Sequence, residues 1–363
     1  MSHCFIIAEA GVNHNGSFEM AMKLVELAAS VGADAVKFQT FNPEALATAN
    51  APKADYQRQA VPEDNSMLAM LQKLQLNEDE YYRLQEHCKS LGITFLSTPF
   101  DIESMKFLVD KMGLKKIKIG SGDVTYAPLL LETAKRGCSI ILSTGMSTLG
   151  EIEDALAVLS YGYLNQNSPN SYEEVIQQFY LKRPWDLLKE KVVLLHCVSN
   201  YPAAFEEANL SVLATLRQAF GLKVGYSDHT LGIEAPIAAV ALGAEVIEKH
   251  ITLDNTLPGP DHKASLEGPQ FKQMVDSIRH IEKALGERYK APAPSEIQMA
   301  KIARRAIVAS KKITKNQIIA LEDLAYKRPG VGLSPMLCWD LVGTKALSDY
   351  ETDQCIEVYS KAD

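Results

Sequence analysis

The chain has 363 residues, enough for two domains at roughly 150 residues each. Hydrophobic residues make up 47% and charged residues 23%, a globular balance that excludes a disordered, collagenous or coiled-coil chain. With 37 Lys and Arg against 45 Asp and Glu, the net charge is −8, which argues against bulk binding of nucleic acid or anionic membrane but allows a small basic pocket.

No apolar run reaches the roughly 18 residues of a membrane span. The short apolar run Cys4 to Ala8 has no basic segment before it and reads as a first strand, not a signal peptide. Cys4, Cys88, Cys138, Cys197, Cys338 and Cys355 show no CxxC spacing and read as buried thiols of a reducing, cytoplasmic compartment.

β-rich runs at 4–9, 35–39, 94–97, 116–120, 139–144, 192–198, 223–227 and 246–251 alternate with helical patterns at 17–31, 78–91, 102–112, 126–136, 148–160, 209–220, 233–242 and 268–285. Eight strand–helix units predict an α/β fold, a (β/α)8 TIM barrel over residues 1–285. An open doubly wound sheet is the competitor, but it rarely needs eight such regular units. Residues 41–77 separate strand 2 from its helix and lie on the C-terminal face, where they are expected to cover a substrate. Residues 161–186 follow helix 5 and belong to the opposite face, suited to partner contacts or to no function. Residues 286–300 read as a linker, partly extended, and 301–363 as a small β-rich module with strands in RRAIVAS, DLAYKRPG and CIEVYS.

Alternate strand residues of a barrel point inward, and chemistry sits at the strands' C-terminal ends. In AVKFQT the apolar pair Val36 and Phe38 faces the helices, so Lys37 and Gln39 point in. In KIKIGSGD, Lys118 points in between Ile117 and Ile119. Glu9 ends strand 1. Buried lysines need charge partners or a function. With Ser121, Ser143 and the small GSG and STG turns, Lys37 and Lys118 form a cradle for a phosphate or carboxylate. Mutual pairing of Lys37, Lys118 and Glu9 is the bland alternative.

His229 ends strand 7 and His250 ends strand 8, so two imidazoles stand side by side at one face, suited to a divalent metal completed by water or substrate. Barrel closure brings Glu9 beside His250. Two hydrogen-bonded core histidines are the alternative. His14 follows strand 1, His262 lies in the loop after strand 8, and His196 within strand 6 reads as core. The PGPDH loop is rigid and presents Asp261 over the mouth. HCVSNYP brings Ser199 and Tyr201 to the mouth, with Tyr201 available for sugar hydroxyls. Arg328, in the KRPG turn, is an ordinary solvated residue unless it reaches a neighbouring subunit.

As a set these residues resemble the sialic acid (nonulosonate) synthase family. AEAGVNHNGS, AVKFQTF, FLSTPFD, KIGSGD, IILSTGM, LLHC…YP, GYSDHT, EKHITLD, PGPDHKAS and KRPGVGLSP carry the resemblance in order across nearly the whole chain. It implies a phosphoenolpyruvate-dependent barrel, a C-terminal antifreeze-like (SAF) domain and a domain-swapped homodimer. By this resemblance His229 and His250 hold a divalent metal, usually manganese(II), with magnesium or cobalt as alternatives. Lys37, Lys118, Ser121, Ser143 and Ser199 surround phosphoenolpyruvate. Gln39, Tyr201 and Asp261 contact an N-acylated mannosamine-type sugar, and Arg328 reaches the partner's site. Glu9 is the first choice as acid/base toward water, with Asp123 second.

Two positions depart from the family's pattern: the turn often written GSGE reads GSGD here, which shortens Asp123, and Ser199 stands where relatives carry Asn or Thr. The expected reaction joins phosphoenolpyruvate, N-acetylmannosamine and water into N-acetylneuraminate and phosphate. The alternative acceptor, 2,4-diacetamido-2,4,6-trideoxymannose, gives legionaminate. A Schiff-base aldolase would need Lys37 or Lys118 as a free nucleophile. An ice- or carbohydrate-binding module would leave the strand-end polar set without a purpose.

Overall fold

The computed structural model describes residues 3–61, 64, 66–287 and 289–357. It divides into two compact units, Met1–Gly286 and Glu287–Asp363.

The first unit has eight parallel strands: β1 (Phe5–Gly11), β2 (Ala35–Thr40), β3 (Thr94–Pro99), β4 (Lys116–Ile119), β5 (Ser139–Ser143), β6 (Val192–Cys197), β7 (Lys223–Asp228) and β8 (Val246–Thr252). Their order is β3-β2-β1-β8-β7-β6-β5-β4, with β3 and β4 packed side by side at the seam. This is the expected barrel, and each strand falls within two residues of its expected ends. The helices on its outer face are α1 (Phe18–Ser30), α2 (Glu78–Leu91), α3 (Ile102–Lys106, continued by a π turn), α4 (Ala127–Lys135), α5 (Leu149–Leu164), α6 (Val212–Phe220), α7 (Glu234–Ala241) and α8 (Gly268–Leu285). Their starts are written locally. Ser17 Oγ accepts from Met20 N, and Asn77 with Glu80, and Thr148 with Glu151, form reciprocal capping boxes.

Strand alternation sorts the side chains into two cores. Val36, Phe38, Ile117 and Ile119 point outward into the layer between strands and helices. Ile7, Ala35, Leu96, Ile141, Leu195 and Val246 point inward and fill the barrel's lower half. One inward step further along, the residues turn polar: Glu9, Lys37, Lys118, Ser143 and Glu248 are all buried.

The 41–77 segment is a folded cap, not an open loop. It carries helices Pro43–Leu46, Asp55–Ala60 and Met67–Leu74 around an apolar cluster that includes Phe41, Val61, Met70 and Leu74. The 161–186 segment is also ordered. α5 runs on to Leu164, and helix Tyr172–Lys182 packs on it, with Phe179 against Trp185 at 5.2 Å between ring centroids.

A short strand β9 (Leu266–Glu267) of the first unit pairs parallel with the end of β8. Strands β10 (Ala306–Ala309) and β11 (Leu324–Lys327) pair antiparallel around Ile307, Ile313, Leu341 and Tyr350. Of the expected third strand, Cys355 bridges to Val308, while residues 358–360 lie outside the described residues. The expected linker needs correction. Helix Pro294–Ala303 occupies much of it, started by a proline in the first turn and by Ala293 N donating to Glu296 Oε2 at 2.7 Å. Pro294 stands in the helix's first turn, where its missing N–H costs no hydrogen bond.

Candidate active site

The strand ends enclose a cavity of about 180 Å³ lined by Glu9, Lys37, Gln39, Lys118, Ser121, Ser143, Cys197, Ser199, Tyr201, His229, Glu248 and His250. A larger hollow of about 580 Å³ between α2 and α3 is lined by Glu78, Glu80, Asp101 and Glu103. Those acids are already taken by helix caps and by Lys106 and Lys111, so volume alone does not mark chemistry.

At the bottom of the cavity lies a four-charge cluster. Lys37 Nζ stands 2.5 Å from Glu9 Oε2 and 3.7 Å from Glu248 Oε2, and donates to Thr98 Oγ1 at 3.1 Å. Lys118 Nζ lies 3.3 Å from Glu248 Oε1, which also accepts from Ser227 Oγ at 3.1 Å. The ladders set this up, because Glu9 pairs in register with Lys37 on one side and with His250 on the other. Burial pushes the carboxyl of Glu9 upward, against the opposing pull of Lys37. Burial also raises Glu248, but Lys118 and Lys37 outweigh it and hold this carboxyl below its ordinary range. The cluster thus keeps Glu248 ionised and Glu9 proton-exchangeable between two ammonium groups, which leaves positive charge for an incoming anion. Lys37 is held protonated by Glu248 and Glu9 despite its burial, which does not suit a Schiff-base nucleophile.

Glu248 is absent from the residues picked out in the sequence. Its signal was the alternation of Val246, Glu248 and His250 along one face of β8.

Beside the lysines is a cradle of small donors. Gly145 N donates to Ser121 Oγ at 3.0 Å, and Ser121 Oγ lies 3.0 Å from Cys197 Sγ. Ser143 Oγ is buried without a partner. A Cβ on Gly145 would sit 2.4 Å from Ser199 Oγ and 2.9 Å from Ser121 Oγ, so a side chain there would displace both hydroxyls. Asp123 is not among the residues that line the cavity. Its turn (Ser121–Asp123) carries the carboxyl off the lining, with Oδ2 buried and unpartnered and burial raising its pKa to about 6.

Above the charges stand the histidines. His229 Nδ1 is 2.6 Å from the carbonyl of Val198, so Nδ1–H donates there and Nε2 keeps its lone pair. His250 Nδ1 is buried with no hydrogen-bond partner, 3.8 Å from Asp261 Oδ2. The ring centroids are 5.5 Å apart, and burial holds both imidazoles neutral. Two neutral nitrogen donors with spare lone pairs fit a divalent cation whose other positions go to water or substrate oxygens. Among the described residues, no group of three or more His, Cys, Asp or Glu is arranged to hold a metal ion by itself.

At the rim, Tyr201 lies over His229 at 4.1 Å, and Tyr56 of the cap lies on Tyr201 at 5.1 Å. Gln39 Nε2 donates to Glu9 Oε1 at 3.3 Å. β1 carries a bulge at Gly11, in the left-handed region (φ +52°), where a Cβ would meet Glu9, Gln39 and Asp261 within 3.6 Å. Asp261 is buried, and its pKa is raised to about 6 by burial. Three further histidines are hydrogen-bonded and lie outside the cavity lining. His196 Nε2 bonds Ala208 O, His262 bonds Thr252 and Asn15, and His14 Nδ1 accepts from Gly16 N. Arg328 follows β11 in the second unit, exposed. No helix among the described residues is long and apolar enough to cross a membrane.

Residues 24–290 match the NeuB family. The chain is 45% identical to the N,N'-diacetyllegionaminic acid synthase of Campylobacter jejuni, over 98% of this chain and 99% of that one. It is 43% identical to the enzyme of the same name from Legionella pneumophila, over 94% and 90%. Among solved structures, the N-acetylneuraminic acid (sialic acid) synthetase of Leptospira borgpetersenii superposes with a TM-score of 0.66 at 33% identity, over 83% of this chain and 91% of that one. With a barrel whose strand ends gather lysines, acids and histidines in the places those motifs foretell, the chain belongs to the NeuB family of sialic acid and related nonulosonate synthases.

Proposed function

We propose that the chain condenses phosphoenolpyruvate with 2,4-diacetamido-2,4,6-trideoxymannose and water, giving N,N'-diacetyllegionaminate and phosphate. The observation that carries the chemistry is Lys37 and Lys118 sharing Glu248 beside the serine cradle, with Glu9 within reach of both anion and histidines. The choice of sugar rests on similarity. The expected N-acetylneuraminate product gives way to its alternative, because the two legionaminate synthases are 45% and 43% identical and the sialic acid synthetase 33%.

In this reading Lys37, Lys118, Ser121, Ser143 and Ser199 hold the phosphate and carboxylate. Carbon 3 of the enol attacks the sugar aldehyde, water adds to carbon 2, and phosphate departs by C–O cleavage. Glu9 holds or takes the proton of that water, with Asp123 in reserve. Gln39, Tyr201 and Asp261 orient the sugar. His229 and His250 would hold a divalent cation, manganese(II) first, which would supply Lewis-acid polarisation of the aldehyde oxygen.

We further infer that the second unit is an antifreeze-like domain exchanged within a homodimer, placing Arg328 over the partner's site. Mixing Arg328→Ala and Lys37→Ala subunits is then expected to restore activity through hybrid dimers. If neither the mixture nor light scattering shows a shared site, that arrangement falls.

The test of function is phosphate release from phosphoenolpyruvate with manganese(II), with each sugar, with and without chelator. Metal-dependent release with the diacetamido sugar supports the reading. Release with N-acetylmannosamine alone returns the product to N-acetylneuraminate. Silence with both overturns it.

A further inference from the structure

Lys249 is fully buried, and no step above uses it. It alternates with Glu248 and His250, so it leaves β8 on the helix side, away from the cavity. Its Nζ lies 2.5 Å from Asp228 Oδ2, with neither side chain exposed, and donates also to the carbonyl of Thr230. Asp228 Oδ1 accepts from Thr230 N at 2.9 Å and from Thr230 Oγ1 at 2.8 Å.

A buried ion pair is an inefficient way to hold a fold together, since apolar side chains of equal volume commonly do as well or better. Its value must lie in what it fixes. The β7–β8 ladder ends at Asp228 opposite Lys249. His229 is the first residue beyond β7, with no ladder of its own to set its position relative to β8. Lys249 continues the connection by other means. From the position just before His250, it grips the residues on both sides of His229. The peptide of His229 is held from the opposite side by Ala203 N, which donates to its carbonyl at 2.9 Å.

We propose that Lys249, Asp228 and Thr230 form a positioning clamp that sets the separation of His229 and His250 for a shared divalent cation. This rests on the reading that those two histidines hold a metal. None of the three touches the cavity, and the clamp works through the backbone.

The test is manganese(II) binding to the full chain, followed by electron paramagnetic resonance of the free ion and paired with near-ultraviolet circular dichroism. The variants are the neutral double Asp228→Asn/Lys249→Met, the milder Thr230→Val, and His229→Ala as control. The expected result is affinity about 10- to 100-fold weaker in the double variant and a few-fold weaker in Thr230→Val, with dichroism unchanged. Parental affinity in both clamp variants, while His229→Ala loses the ion, overturns the clamp and leaves the metal reading standing. Weakened affinity accompanied by lost tertiary dichroism in both variants also overturns it, because the role is then only structural. A parent chain that binds no manganese(II), or a His229→Ala variant that binds it as the parent does, overturns the metal reading and the clamp together.

Discussion

Glu9 Oε2 lies 2.5 Å from Lys37 Nζ, on neighbouring strands and in direct register. The pair is buried, yet burial still drives the Glu9 carboxyl upward, and Glu248 adds to the push from the far side of the same ammonium. A carboxylate in that position exchanges a proton at a pH where ordinary glutamates stay ionised. Glu9→Gln is expected to lower turnover about 10²- to 10⁴-fold while leaving phosphoenolpyruvate affinity nearly intact. As a base, Glu9 must be ionised, so parental activity should fall with decreasing pH through a point above the usual glutamate range. The variant should lose that acid limb. A pH profile of kcat for both proteins checks this, and an unchanged limb in the variant rules out Glu9.

Gly145 tests the anion cradle without touching a charge. A methyl group there would lie 2.4 Å from Ser199 Oγ, 2.9 Å from Ser121 Oγ and 3.0 Å from Cys197 Sγ. The backbone is not left-handed at this position, so Gly145→Ala should fold. The two hydroxyls must turn away to make room. KM for phosphoenolpyruvate should then rise at least about tenfold, the loss of one or two hydrogen bonds to a charged group. Steady-state kinetics and a thermal melt separate this from unfolding.

Tyr56 tests the cap. Its ring meets Tyr201, which in turn lies over His229. An aromatic pair contributes about 0.5–1.5 kcal/mol. Tyr56→Ala should therefore raise KM for the sugar about 2- to 10-fold, with KM for phosphoenolpyruvate unchanged because the lysines lie deeper. Equal changes in both constants would mean that the cap closes over the whole cavity and not over the sugar.

His14 gives a stability prediction. Burial lowers its pKa to about 4 from an ordinary 6.5. A group depressed in the folded state contributes stability above its unfolded pKa and loses it as pH falls through the folded value. The gap amounts to about 3 kcal/mol when complete. Its Nδ1 accepts from Gly16 N, a bond that protonation at that nitrogen would break. Between pH 7 and 4.5 the parent should lose about 2 kcal/mol more stability than His14→Gln. Urea unfolding at the two pH values measures the difference.

The barrel and most of its mouth were legible because period-two alternation speaks plainly when it carries charge. Lys37 between Val36 and Phe38, and Lys118 between Ile117 and Ile119, have one sensible orientation. Glu248 obeys the same rule two residues before His250, on the same face of β8. Tyr56 had no such signal. It reaches the site because a cap with its own apolar cluster folds back over the mouth, a long-range outcome that local pattern does not contain. Asp123 depends on local geometry. Spacing places a residue on a turn, but the turn's geometry decides which way the carboxyl leaves it. The helix at Pro294–Ala303 falls where the sequence reads as a linker, because proline suits an extended segment and a helix's first turn alike.

Ile7, Leu96, Ile141 and Leu195 seal the barrel beneath the charged cluster. The cavity is therefore a blind well, closed below and entered from the strand ends. In a blind well, molecules queue. Whatever settles on the lysines must enter before anything that stacks above it, and it cannot leave until the upper occupant has gone. Order of arrival is thus built into the masonry of the lower barrel, by four aliphatic side chains that never meet a ligand.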